Sequence, residues 1–214
     1  AQQLDCPVMQ DLGNLPPSDL VLVCVSDDQV STVLEQIPAS SSVAYTAGSI
    51  ELNSLPARSN KGVFYPLQTF SKLKDVNLFE VPFLIEAGDS SFAQSLFDLA
   101  WKLSRKVQFA SSEERKKLHL GAVMINNFTN HMAYLAKDYL DQHQLDWELL
   151  KPLMGETFEK LKTVSPFEAQ TGPARRKDLQ TVSEHISMLG GLPKEIYAVI
   201  SRSIEETYNS GKEQ

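Results

Sequence analysis

Cysteine is scarce: Cys6 and Cys24 are the only two in 214 residues, and neither belongs to a CxxC pair or stands beside clustered histidines. That excludes a disulfide-stapled scaffold and zinc-finger spacing, and it points to a reducing, cytoplasmic setting. Positive charge is also short. Twenty Lys and Arg stand against 27 Asp and Glu, for a net charge of −7, so no cationic face is available to follow a phosphate backbone and nucleic acid is not an expected partner. No apolar run approaches the ~20 residues that a membrane-spanning helix needs. The longest, around Val21 to Val25, has the length of a strand; neither a membrane partner nor a signal peptide is expected. Metal spacings such as H-x-x-x-H are missing, so no metal is expected. Local Ser/His/Asp or Cys/His signatures are missing too, which leaves nucleophilic hydrolysis without support. Finally, the G-x-G-x-x-G turn that brings a backbone up to a pyrophosphate is nowhere in the chain.

What is present divides into two kinds of pattern. Asp19-Leu-Val-Leu-Val-Cys-Val25, bounded by Pro16-Pro17-Ser18 and Ser26-Asp27-Asp28, reads as a parallel strand covered on both faces. Such a strand belongs inside a sheet and residue 1 is Ala, so the fold is expected to begin roughly fifty residues upstream, at ~30 residues per βαβ unit. Alternating elements follow: a helix at 28–36, a strand at 42–46, a helical turn at 50–55, strands at 62–65 and 81–86, an amphipathic helix at 91–103 and a strand at 106–109. This alternation predicts an α/β class with a doubly wound parallel sheet. Pro82 places its strand toward a sheet edge, because proline lacks the N–H of a central ladder. From Ser111-Ser112-Glu113-Glu114 the pattern is helical to about Gln142, with further helices expected at 146–162, 178–189 and 193–208 and a frayed tail from Asn209. Two domains are expected, an α/β one at 1–110 and an all-α one at 111–214.

Ligands of open parallel sheets collect beyond the carboxyl ends of the strands. The loops Ser26-Asp27-Asp28, Thr46-Ala47-Gly48 and Gln68-Thr69 occupy those positions. Each can cap a helix or close a turn, but three on one edge favour a cleft. Gly48 would let backbone approach a planar ring. On the long helix, at 100° per residue, His119, Asn126 and Asn130 fall within about 40° of one another, with Asn127 about 60° further round. Leu118, Ala122, Ile125, Phe128, Met132 and Leu135 form the opposite side, which should be buried. Asn is a poor helix former, so three in five positions suggest hydrogen bonds to a ligand or to a neighbouring helix. His119 is the histidine nominated as acid or base, since imidazole exchanges its proton near neutrality. Gln170-Thr171-Gly172-Pro173-Ala174-Arg175 is a stiff loop ending in cations; Arg175 either grips an anion or faces solvent.

Three segments in order, Tyr65-Pro66-Leu67-Gln68-Thr69-Phe70, HLGAVMINNFTNH from His119 to His131, and AQTGPARRKD from Ala169 to Asp178, resemble a bacterial Rossmann-like NADP oxidoreductase family with a helical C-terminal domain of unknown function. More distantly the chain is similar to ketopantoate reductase, pyrroline-carboxylate reductase and hydroxyisobutyrate dehydrogenase, whose helical second domain closes the active site and commonly dimerises. The resemblance implies a dinucleotide-binding first domain with NADP or NAD at Ser26, Asp27, Asp28, Thr46, Ala47 and Gly48. It implies a small carbonyl, imine or hydroxyacid substrate held by Gln68, Thr69, Asn127, Gln170, Thr171 and Arg175, with His119, Asn126 and Asn130 catalytic. A homodimer through the helical domain is implied as well. The lysine that hydroxyacid dehydrogenases carry on the interdomain helix has no counterpart, and His119 stands near its position. The other reading is a non-catalytic dimeric ligand-binding or scaffold protein on the same fold.

Overall fold

The computed structural model describes residues 7–209, so Cys6 and the tail beyond Asn209 lie outside it. The chain divides into two compact units, Ala1–Asn130 and His131–Gln214.

In the first unit, β1 (Val21–Val23), β2 (Val43–Tyr45), β3 (Lys61–Pro66), β4 (Phe83–Ala87) and β5 (Val107–Phe109) form one sheet in the spatial order β1-β2-β3-β4-β5. Up to β5 its helices are α1 (Val30–Gln36) and α2 (Ser90–Leu103). Period-two alternation sorts the strand side chains between two cores. Val43, Tyr45, Val63, Tyr65 and Leu84 join Val30 and Leu34 of α1. Their neighbours Ala44, Phe64, Phe83 and Ile85 join Phe92, Leu96 and Ala100 of α2. The two helices thus cover opposite faces, and β2 and most of β3 are buried throughout. The fold is α/β and Rossmann-like, with helices following the sheet.

Four details depart from the sequence expectations. The sheet is mostly rather than wholly parallel: β3 and β4 run antiparallel, with Tyr65 opposite Leu84, whereas the other pairs are parallel. Its strand order does not reverse, so the described residues do not show the double winding expected from alternation. Pro82 is not on an edge strand, because β4 lies between β3 and β5. The proline escapes the ladder by standing just before Phe83, and its carbonyl accepts from the Leu67 amide at 2.8 Å. Conversely, among the described residues the run around Val21 to Val25 stands at the end of the strand order. Val23 is buried but Leu22 is 44% exposed, so the described residues cover only one of its faces.

Ser111 and Glu114 close a capping box at the start of α3 (Ser112–Ala122). A π-helical segment, Val123–Phe128, follows and leads into α4 (Thr129–Gln142). The 100° spacing that aligned His119 with Asn126 and Asn130 therefore does not carry through this stretch, since an i→i+5 turn is wider. The apolar side expected to be buried is open: Ile125 is 59% and Phe128 56% exposed, and α4 buries no residue. The second unit continues with α5 (Lys151–Leu161), α6 (Pro166–Ala169), α7 (Leu179–Met188) and α8 (Gly191–Asn209). The last helix starts ahead of Pro193, which falls in its first turn. Among the described residues no helix is long and apolar enough to cross a membrane, and no group of three or more His, Cys, Asp or Glu is placed to hold a metal ion.

Candidate functional site

The carboxyl ends of β1, β2 and β3 lie side by side, and short contacts join the segments that leave them. Ser49 donates a hydrogen bond to the Asp27 carboxylate, which ties the loop after β2 to the loop after β1. Asp28 accepts from the Gln29 side chain at 2.9 Å, and hydrogen bonds from Gln29 and Ser26 hold its carboxyl below the usual carboxylate range. Thr46 donates to the Val23 carbonyl through its amide at 3.3 Å. Ser26, Asp27 and Asp28 are exposed, whereas Ala47 and Gly48 are buried.

Gly48 does meet a planar ring, and the ring belongs to the protein. A Cβ at this position would lie 2.6 and 2.8 Å from Cε1 and Cε2 of Tyr65, so only glycine lets the loop rest on that side chain. Tyr65, next to the end of β3, is buried. Burial, and to a smaller degree the Asp27 carboxylate, push its phenol above the ordinary range, with Arg115 acting in the opposite sense. Its oxygen lies 3.1 Å from Nδ1 of the half-buried His119 on α3. Of the sequence-nominated residues, the structure thus brings Asp27, Gly48 and His119 into one neighbourhood, through Tyr65 and Ser49.

Arg115 was missed by sequence reading, because it opens the run Arg115-Lys116-Lys117 and looks like a surface cation. It is fully buried. Its guanidinium pairs with Glu86 of β4 at 2.7 Å and donates to the carbonyls of Gly48 at 2.9 Å and Ile50 at 3.0 Å and to Ser112 Oγ at 3.1 Å. Ser112 also donates to Glu86 at 2.8 Å and accepts from the Leu52 amide at 3.0 Å. The fork of a guanidinium suits this task, since it satisfies several acceptors at once. The available signal was Glu86 itself, a carboxylate closing an apolar strand that requires a partner.

The remaining nominated residues are more open. Gln68 accepts from the Thr69 amide at 2.8 Å, and both are exposed. Asn126, Asn127 and Asn130 are exposed, and Asn126 donates to Asn127 at 3.5 Å. In the helical unit Gln170 donates to the Thr171 carbonyl at 2.9 Å. Arg175 stacks over the Tyr208 ring at 4.4 Å, an arrangement that fixes its guanidinium plane. That unit also holds a cavity of about 640 Å³ walled by Leu135, Tyr139, His143, His185, Met188 and Tyr197 among others. His185 Nδ1 and the Tyr197 hydroxyl are 2.8 Å apart in its wall.

The model of a domain of unknown function, DUF2520, matches residues 81–204. Among solved structures the chain is 38% identical to a Bacteroides fragilis protein named "putative NADP oxidoreductase", with a TM-score of 0.85 over 96% of this chain and 82% of that one. It is 25% identical to a Thermotoga maritima protein, with a TM-score of 0.74 over 92% and 81%. A Mycobacterium avium 104 protein named "putative oxidoreductase" is 12% identical, with a TM-score of 0.63 over 98% and 84%, a likeness of fold alone. No curated protein matches the chain.

Proposed function

The chain belongs to the DUF2520 family, and on that premise we propose that it is an NADP-dependent oxidoreductase acting on a small carbonyl, imine or hydroxyacid. The observation that carries this reading is the Tyr65–His119 pair, which puts an imidazole beside the strand ends where sheets of this class receive ligands. The name of the Bacteroides fragilis relative supports the choice of NADP.

The residues at the strand ends suit part of such a cofactor. Ser26, Asp27, Asp28 and Thr46 offer hydroxyls and carboxylates, which pair with ribose hydroxyls and the carboxamide end. They include no cation and no glycine-rich turn, and the space at Gly48 is taken by Tyr65. The phosphates therefore need partners outside this set. When bound, a nicotinamide supplies the hydride. The chain's own part is orientation and proton handling: His119 offers a ring nitrogen, Asn126, Asn127 and Asn130 offer amides, Gln68 and Thr69 extend the polar surface, and Gln170, Thr171 and Arg175 supply a second set on the helical unit.

A second copy of the chain completes this reading as a cytoplasmic homodimer. The support is the helical unit itself, where Ala169 and Ala174 are the only buried residues among those described, while Leu149 and Leu153 are 73% and 63% exposed. Apolar helical faces this open are stable in water when another surface covers them. Titrating the full chain with NADPH and with NADH, following nicotinamide fluorescence, tests the assignment: saturation is expected with NADPH, and no binding of either at about millimolar cofactor removes it. The cavity near His185 favours one alternative, a non-catalytic dimer that binds a largely apolar ligand there. That alternative predicts ligand-induced stabilisation without cofactor turnover.

A further inference from the structure

We propose that Tyr65 is a positioning residue that keeps the proton of the neutral His119 ring on Nε2, so that His119 meets its ligand as a hydrogen-bond donor. The relevance to catalysis rests on the oxidoreductase reading; the proton placement does not.

The argument starts from the 3.1 Å separation of the Tyr65 hydroxyl and His119 Nδ1. A hydrogen bond between them has two arrangements, with either the phenol or the ring donating. An imidazole lone pair is a much better acceptor than a phenol oxygen. Burial also holds the Tyr65 proton in place. Both considerations make Tyr65 the donor and Nδ1 the acceptor, which leaves the single ring proton of neutral His119 on Nε2. The two nitrogens lie on different sides of the ring, so Nε2 is turned away from the buried tyrosine.

The hydroxyl is held in place from several directions. The Tyr65 ring rests against Gly48, where there is no room for a Cβ. The Gly48 carbonyl is gripped by Arg115 at 2.9 Å, and Arg115 by Glu86 at 2.7 Å. A chain of contacts from β4 through α3 to the loop after β2 therefore fixes where Tyr65 can point. A positioned neutral imidazole that donates can polarise an oxygen on which charge develops. Within the proposed substrate range this selects a ligand that presents an acceptor oxygen, a carbonyl or carboxylate, to His119, and disfavours a protonated imine at that atom.

Nitrogen-15 histidine labelling of the full chain tests this directly. Two-bond proton–nitrogen correlations, recorded above the pH of histidine titration, report which ring nitrogen carries the proton, and loss of a signal set in His119→Gln assigns His119. The expected result is a proton on Nε2 in the parent chain, and a mixture of both forms in Tyr65→Phe, which keeps the ring against Gly48 and so preserves the packing. Gly48→Ala, which displaces the ring, should move the populations in the same direction. A proton on Nδ1 in the parent, or populations unchanged in folded Tyr65→Phe, overturns the proposal. NADPH titration of the same samples separates the two levels: a parent chain with the Nε2 form but no affinity for NADPH retains the positioning role and loses the oxidoreductase reading.

Discussion

The two units of this chain handle apolar surface in opposite ways. The sheet unit closes two cores of its own, one on each face, and spends a fully buried arginine on holding the loop after β2. The helical unit has caps, ion pairs at i,i+3 and i,i+4 spacing and regular helices, yet buries only two alanines among its described residues. Local helix signals therefore suffice to form those elements but not to keep their apolar faces from water. The difference teaches that the first unit closes cores of its own, whereas the second leaves its apolar helical faces open, which is the surface the proposed dimer would cover.

The largest expected effect comes from attacking the sheet unit at its polar centre. Arg115→Ala strands Glu86 and removes the donor from the Gly48 and Ile50 carbonyls, so chemical denaturation should show a loss of about 3–5 kcal/mol. A variant within about 0.5 kcal/mol of the parent would mean that the buried pair holds nothing. The helical unit should respond to a different insult. Leu149→Asp with Leu153→Asp changes two exposed positions and should weaken dimerisation about 100-fold, or ~2.7 kcal/mol, in sedimentation equilibrium. A parent chain that sediments as a monomer at all concentrations would erase the contrast between the units.

Smaller effects sharpen the picture. Gly48→Ala forces a methyl into the Tyr65 ring and should cost about 1–3 kcal/mol in the sheet unit. Tyr45, whose phenol burial pushes from 10.0 up to about 12, donates to the Ile50 carbonyl at 3.3 Å. Because the folded value is raised, its contribution is fully present below about 10 and disappears as the pH rises through about 12. Denaturant midpoints should fall across that window, and fall less in Tyr45→Phe. Tyr65→Phe should be the mildest, at about 0.5–1.5 kcal/mol, with its main effect on the His119 proton.

The strands at β2, β3 and β4 were legible because alternation over a few residues is local, and the loops at their ends followed from the same pattern. The antiparallel step between β3 and β4 was not, since either direction serves the same run of apolar residues. The π turn at Val123–Phe128 was hidden for a similar reason: a regular helix and a widened one have the same composition. His119 was nominated by its chemistry, whereas Tyr65 stood only within the segment Tyr65 to Phe70 and Arg115 within a basic run, with no role given to either. Their roles arise from contacts across 54 positions for Tyr65 with His119 and 29 for Arg115 with Glu86.

By itself the sequence determined the order and kind of most elements, that the chain is α/β followed by helices, and which segments carry polar side chains at strand ends. Those are matters of period, capping and turn chemistry, each settled within a few residues. Only the tertiary structure decided that Gly48 serves Tyr65, that Arg115 is buried on Glu86, and that the apolar faces of the helices stay open. Packing and charge burial depend on which distant surfaces meet, and no local spacing encodes that.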